Sequence, residues 1–486
     1  MKYKQISIFC FISIILLLSS SAIINIDNTK IKIFYFFFSL IFNFYFLFTI
    51  TFLKSLFLVI LSIYLWLGFY LKLTLKYIFY KKDNIEIIDY FLRLQDADKE
   101  TIFLLSIFIC FILILVNFFS KPNNQSKGNE KEFFINLKLY KNHRFKISSF
   151  IYFIYLILIF TNWYFGFYKR GVIPEFYLMS YLYSFLFQLF LPSIFLILLN
   201  YEFEISKKKN LILILYIFFI IFLSDLTILS RQMAFTGFCM LFIYLLYYFK
   251  PTIKKNIKIC FTIFTIIFLG YLNISIVEYV RKIDESKEKN NNLVLNIYKS
   301  KNDQVEPKKI IINKKNLDIF ADMFLNRFIG IDKLSSIIIK DNKNEKLIEA
   351  LNYEFKTKQT NSSYYDWFLY KYNVGHSYYV DNQQYEKLRF NNVIGVIGYL
   401  FLSKSFLIVL SVFTLLIYII LHLEKFLFSR YNYFWLSFWI MFFVAGKLIN
   451  LSSVGSLIKN FLAIGILLIV FEIFKFLCNK FYYSRN

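Results

Sequence analysis

The chain has 486 residues, 58% of them apolar and 64 of them Phe, with a formal charge of +25. The apolar residues fall in continuous runs long enough to cross a hydrocarbon core of about 30 Å, which excludes an ordinary soluble domain. The runs do not alternate with period two, which excludes an outer-membrane barrel and leaves helices as the spanning elements.

In chain order, the apolar runs predict about twelve membrane helices, at roughly 5–24, 33–50, 53–71, 101–119, 147–167, 176–199, 211–229, 234–249, 257–277, 393–421, 433–449 and 457–477. Lys2 and Lys4 precede the first run and Ser19-Ser20-Ser21-Ala22 closes it. A cleaved signal peptide and an uncleaved first span share that pattern, and the many spans behind it favour the span. The second and third runs nearly meet at Thr51 to Lys54, which predicts a tight helical hairpin. The tenth run is long for one crossing, so it either tilts or begins as an interfacial turn at Gly395 and Gly398.

Between the ninth and tenth runs lies a polar segment, 278–391, far too long to be a simple connection. Within it Phe320, Phe324, Phe328, Ile331 and Leu334 recur at helical spacing and predict an amphipathic helix over 318–339. A second short helix is expected over 341–355. The expected fold is therefore an all-α polytopic membrane protein, with membrane portions 1–277 and 392–486 and one large loop, 278–391, containing short helices.

Lys and Arg in the short loops set the orientation. With a cytoplasmic N-terminus, the inside segments hold Lys54, the basic 120–146 stretch, Lys207-Lys208-Lys209, Lys254, Lys255, Lys425, Arg430 and Lys480. The basic segment at 72–100 is the exception. Both termini are thus expected inside and the large loop outside. The charge itself has two readings. Phe, Ile, Tyr, Lys and Asn are all encoded by AT-rich codons, so genome composition can supply the lysines. Alternatively, the charge attracts anionic lipid headgroups or a phosphorylated substrate.

The five cysteines lie in or beside apolar runs without a C-x-x-C pair, and the three histidines have no ligand spacing, so neither a metal nor a cofactor is expected. Arginine is scarce beside lysine, and its planar fork suits phosphate oxygens in a way that lysine cannot match. Arg231 sits in the turn between the seventh and eighth spans, and Arg281 lies just past the ninth. Two passes separate them, so both emerge on the face that carries the loop. Arg327 falls on the predicted amphipathic helix. Each of the three is also compatible with an arginine anchored at the interface. His376 in the loop is a candidate general base. Asp225 and Glu472 are read as charges inside spans, with Lys447 near a span end, and such residues default to function in a membrane. Asp225 and Tyr279 stand close in sequence to Arg231 and Arg281 and are candidate substrate contacts, as is Arg327.

Three segments together resemble the O-antigen and capsule repeat-unit polymerases, the Wzy family. Leu226-Thr227-Ile228-Leu229-Ser230-Arg231-Gln232 is similar to that family's Gly-Ser-Arg turn, with Leu229 at the glycine position. Arg281 leads into a large loop, and Asn392-Val393-Ile394-Gly395-Val396-Ile397-Gly398-Tyr399 resembles the glycine-containing return to the membrane. The resemblance covers about 211–421. It implies a metal-independent glycosyltransferase in the bacterial inner membrane, acting on undecaprenyl-pyrophosphate-linked oligosaccharides. A flippase and a chain-length regulator are the implied partners, and nucleic acid is not. Arg231 and Arg281 would stabilise the departing pyrophosphate. An O-antigen ligase and a flippase for the same lipid-linked oligosaccharide stay open as alternatives.

Overall fold

The computed structural model describes residues 2–52, 54–79, 91, 94–120, 130–168, 177–205, 331, 334–335, 347–356, 395–431, 434–449 and 454–483. Among the described residues every regular element is a helix. Seven stretches of the described residues are long and apolar enough to cross a membrane: Thr29–Phe52, Leu56–Ile78, Asp96–Phe119, Tyr140–Phe165, Leu178–Ile205, Phe406–Arg430 and Val454–Ile473. The chain is an all-α, multi-pass membrane protein. The expected seventh to ninth spans lie outside the described residues, as does most of 278–391.

The chain divides into two compact units. The first comprises Met1–Asn124, Asn291–Leu423 and Leu448–Val454. It opens with α1 (Lys2–Ile24), α2 (Thr29–Phe52), α3 (Leu56–Leu65), a π-helical stretch (Trp66–Leu71), α4 (Lys72–Phe79) and α5 (Asp96–Phe119). The expected hairpin forms: α2 ends at Phe52, α3 starts at Leu56, and the two pack together. Ser55 caps α3 by accepting from the Leu58 N–H at 3.1 Å.

Helices α2 and α5 run parallel. At one end Asn28 donates to Asp96 at 2.6 Å and Lys30 reaches Glu100 at 2.8 Å. At the other, Lys54 donates to the Phe118 carbonyl at 2.8 Å. Parallel packing is what two crossings separated by one return crossing, Leu56–Ile78, require. Between the helices lies an aromatic core that includes Tyr35, Phe38, Phe42, Phe57 and Tyr70. Its hydroxyls are tied across helices. Tyr35 Oη meets Thr74 Oγ1 at 2.8 Å, and Ser19 Oγ meets Ser39 Oγ at 2.8 Å and Tyr70 Oη at 2.7 Å. Ala22 is fully buried, so α1 is one of the packed helices.

The predicted tenth span is two helices. A short helix α10 (Gly395–Phe401) has all seven residues buried, and α11 (Phe406–Tyr431) follows a break at 402–405. Gly395 has φ 74°, open to a residue without Cβ, and begins α10. The turn comes after it, not at Gly398. Hydropathy misses this break because only three polar residues mark it, and their work is local. Ser403 Oγ donates to the Leu400 carbonyl at 2.7 Å, Lys404 takes the left-handed φ of 53°, and Ser405 Oγ accepts from the Ile408 N–H. Earlier in the chain, α9 (Leu347–Lys356) falls where the second short helix of the polar segment is expected. Of the first such helix, Ile331 and Leu334 are described, and both are buried.

The second unit comprises Gln125–Asn290, Glu424–Lys447 and Gly455–Asn486. Here α6 (Glu130–Phe165) runs antiparallel to α7 (Tyr177–Phe185), a second π-helical stretch (Leu186–Phe190) and α8 (Leu191–Ile205). A kink at His143 (φ −121°, ψ 20°) interrupts α6 near the start of its membrane-crossing part. Tyr155, Phe187, Leu191 and Phe195 form the core between these helices. The unit also holds most of α12 (Phe434–Ile449) and α13 (Val454–Tyr483).

Candidate functional site

The site grows from Pro192. Proline lacks the N–H that would bond the carbonyl four residues earlier, and its ring crowds that carbonyl. The residue four earlier is Gln188, and the backbone widens into a π-helical turn over Leu186–Phe190 around it. Widened turns of this kind recur at functional sites.

Gln188 is held from both ends of its amide. Its Nε2 donates to Tyr168 Oη at 2.5 Å, and its Oε1 accepts from Lys447 Nζ at 3.2 Å. Tyr168 is fixed in turn by the buried Asn162. The Asn162 Oδ1 accepts the Tyr168 N–H at 2.8 Å, and its Nδ2 donates to the Tyr168 carbonyl at 3.1 Å. Gly166, with φ 63°, closes α6 and lets the chain turn back for this contact. One turn away, Thr161 Oγ1 meets Tyr183 Oη at 2.7 Å.

Two lysines stand on this frame. Lys447 is in the last turn of α12, with its ammonium 5.1 Å from the centre of the Phe443 ring. Lys459 is in the second turn of α13, with its ammonium 5.2 Å from the centre of the Tyr181 ring. Both distances are within cation–π range. Tyr181 and Gln188 are seven residues apart, about 10 Å along their helix. Asn162, Tyr168 and Tyr183 gather at one end of the unit, and the Lys459 contact at Tyr181 lies about 10 Å along the helix from the Lys447 contact at Gln188.

The other end carries a different arrangement. Arg144 grips Glu202 bidentately, with Nε to Oε1 at 2.6 Å and Nη2 to Oε2 at 2.5 Å, and Tyr140 Oη donates to the same carboxylate at 2.7 Å. Arg430 holds Glu472 in the same bidentate way at 3.0 and 2.8 Å. Glu472, expected as a buried charge, is a half-exposed carboxylate whose charge is met by this partner. Arg144 and Asn162 are eighteen residues apart on α6, about 27 Å of helix and close to the hydrocarbon thickness.

Of the residues singled out from sequence, Lys447 belongs to the described cluster. Asp225, Arg231, Tyr279, Arg281, Arg327 and His376 lie outside the described residues. Sequence reading missed Gln188, Tyr168 and Asn162, which are uncharged; the signal that leads to them is Pro192 inside an apolar run. Among the described residues no group of three His, Cys, Asp or Glu could hold a metal ion.

The fold and these two polar ends define an all-α, multi-pass membrane protein. No protein-family model, curated protein or solved structure matches the chain.

Proposed function

We propose that this protein polymerises undecaprenyl-pyrophosphate-linked oligosaccharide repeat units at the outer face of the bacterial cytoplasmic membrane. The observation that carries the reading is the pair Arg231 and Arg281. Two predicted spans separate them, in a chain where lysine far outnumbers arginine, and Arg281 opens into the large polar segment. The glycine-marked return after that segment supports it: Gly395–Phe401 is a separate, fully buried helix. In this reading the chain makes about twelve crossings with both termini inside, and 278–391 lies outside.

In the reaction, the bond between the donor sugar and its pyrophosphate breaks, and a glycosidic bond forms to a hydroxyl of the incoming repeat unit. The hydroxyl proton passes to a base, for which His376 is the candidate. Charge develops on the departing undecaprenyl pyrophosphate, where Arg231 and Arg281 stabilise it. Arg327, Asp225 and Tyr279 contact the glycans. A flippase supplies the units, a chain-length regulator acts beside the polymerase, and neither a metal nor a cofactor takes part.

Complementing a deletion strain with Arg231→Ala or Arg281→Ala tests this. The expected result is single repeat units on the surface and loss of long chains, read on a glycan gel. Normal chain length in both variants removes the arginines from the mechanism. Absence of units outside the cell points to a flippase. Long chains that stay on undecaprenol point to a ligase.

A further inference from the structure

The membrane-crossing part of α6, Tyr140–Phe165, carries its charge at one end. Its lysines and arginines are Lys141, Arg144 and Lys146, and it contains no acid. All three are exposed, and they lie within about 8 Å of helix, around the kink at His143. Neither lysine has an ion-pair partner among the described residues. Arg144 grips Glu202 with two of its five N–H groups, so three remain on a half-exposed side chain. Of the carboxylates at the adjoining end of α8, Glu202 is answered by Arg144, and Glu204 is exposed. Beyond Lys146 the same helix turns an apolar stripe outward. Phe150, Phe153, Ile157 and Phe160 follow Lys146 at helical spacing, within about 40° of one line. They are 64%, 62%, 45% and 61% exposed. From Phe150 to Phe160 is about 15 Å of helix, half of a hydrocarbon core of about 30 Å. A basic collar at the boundary, above an exposed apolar stripe one leaflet deep, matches a molecule with an anionic head and a hydrocarbon tail.

We propose that this face of α6 binds anionic phospholipid from the surrounding bilayer, with Lys146 on the headgroup phosphate and the acyl chain along Phe150, Phe153, Ile157 and Phe160. Lys141 and the free N–H groups of Arg144 draw the same headgroups around the rest of the collar. The lysines act as compact point charges, so the surface selects for net negative charge and not for one headgroup shape. A zwitterionic headgroup brings its own cation to the collar and is disfavoured there. The proposal does not depend on the polymerase reading.

The test uses the full-length protein in detergent, titrated with dihexanoyl phosphatidylglycerol, dihexanoyl phosphatidylcholine, or glycerol 3-phosphate, which has the anion without the tails. Binding is read by native mass spectrometry and by the shift in melting temperature. Phosphatidylglycerol is expected to bind saturably, at least about fivefold tighter than either of the others. Its affinity should fall about tenfold in K141A/K146A and be largely kept in K141R/K146R. K425A/K459A removes two exposed lysines elsewhere in the second unit and should change it less than about twofold. Equal binding of phosphatidylcholine, unchanged affinity in K141A/K146A, or an equal loss in K425A/K459A overturns the proposal. Glycerol 3-phosphate binding as tightly as the lipid shows an anion site without a tail and also overturns it, as does a protein dimer that keeps the lipid off this face. The comparison of the three probes on the unaltered protein stands even if a variant does not fold. None of these outcomes bears on the glycan-length assay with Arg231→Ala, so the two readings fail separately.

Discussion

The two units solve the same problem differently. In the first, the stretch Leu56–Ile78 is 83% buried, and its aromatic rings and hydroxyls meet those of neighbouring helices. In the second, Tyr140–Phe165 and Val454–Ile473 are only 11% buried, and their polar contacts gather at the ends. A helix in lipid gains little from hiding apolar surface, because the tails are as apolar as the core. Close packing and interhelical hydrogen bonds therefore hold the first unit together. The second buries Leu178–Ile205 to 56% and sets its ion pairs Arg144–Glu202 and Arg430–Glu472 near helix ends.

Truncating one aromatic residue in each unit gives the largest test of that contrast. Phe38 is fully buried against Tyr35, Phe42 and Phe103, whereas Phe153 on α6 is 62% exposed. Phe38→Ala is expected to cost about 3–5 kcal/mol, through lost contacts and the cavity left behind. Phe153→Ala is expected to stay within about 0.5 kcal/mol, as for a surface change. Unfolding in mixed micelles with increasing SDS measures both. Similar losses in the two would erase the distinction.

A smaller effect separates the two arginine–carboxylate pairs of the second unit. The Glu202 side chain is 6% exposed and takes a third bond from Tyr140, while Glu472 is 36% exposed. Arg144→Ala strands a buried carboxylate. Because Arg144 itself is half exposed and screened, we expect a loss of about 1–2 kcal/mol rather than the full value for a buried pair. Arg430→Ala is expected to cost less than about 1 kcal/mol. The same micelle titration ranks them, and a larger loss for Arg430→Ala would reverse the assignment.

Much of this architecture is legible in hydropathy, because a span must be apolar along its whole length whatever it packs against. The second to sixth spans and the hairpin at Phe52 to Leu56 follow directly. What escapes is local or distant. The π-helical turn over Leu186–Phe190 leaves hydropathy unchanged, and only Pro192 betrays it. The Lys447–Gln188 contact joins residues 259 positions apart, and no pattern along the chain links an amide to a lysine at that distance. The resemblance rests on Arg231, Arg281 and the return at Gly395, of which the described residues include the return.

The break in the predicted tenth span supplies the smallest test, and one of opposite sign. Lys404 holds φ 53° between two helices of the first unit, where its Cβ crowds the backbone at a cost of about 1–2 kcal/mol. Glycine has no Cβ to crowd, but it leaves the unfolded chain freer by about 0.5–1 kcal/mol. Lys404→Gly should therefore stabilise the protein slightly, by a few tenths to about 1 kcal/mol. Lys404→Ala removes the same charge and keeps the strain, so it should show no gain. The Lys404 N–H bonds the Phe401 carbonyl at 2.9 Å through the backbone, and both variants retain that bond. The difference between glycine and alanine thus isolates the turn itself. Equal stability of the two variants would mean that 402–405 continues as helix in the membrane, and that the first unit is crossed there by one span rather than closed by a short buried helix.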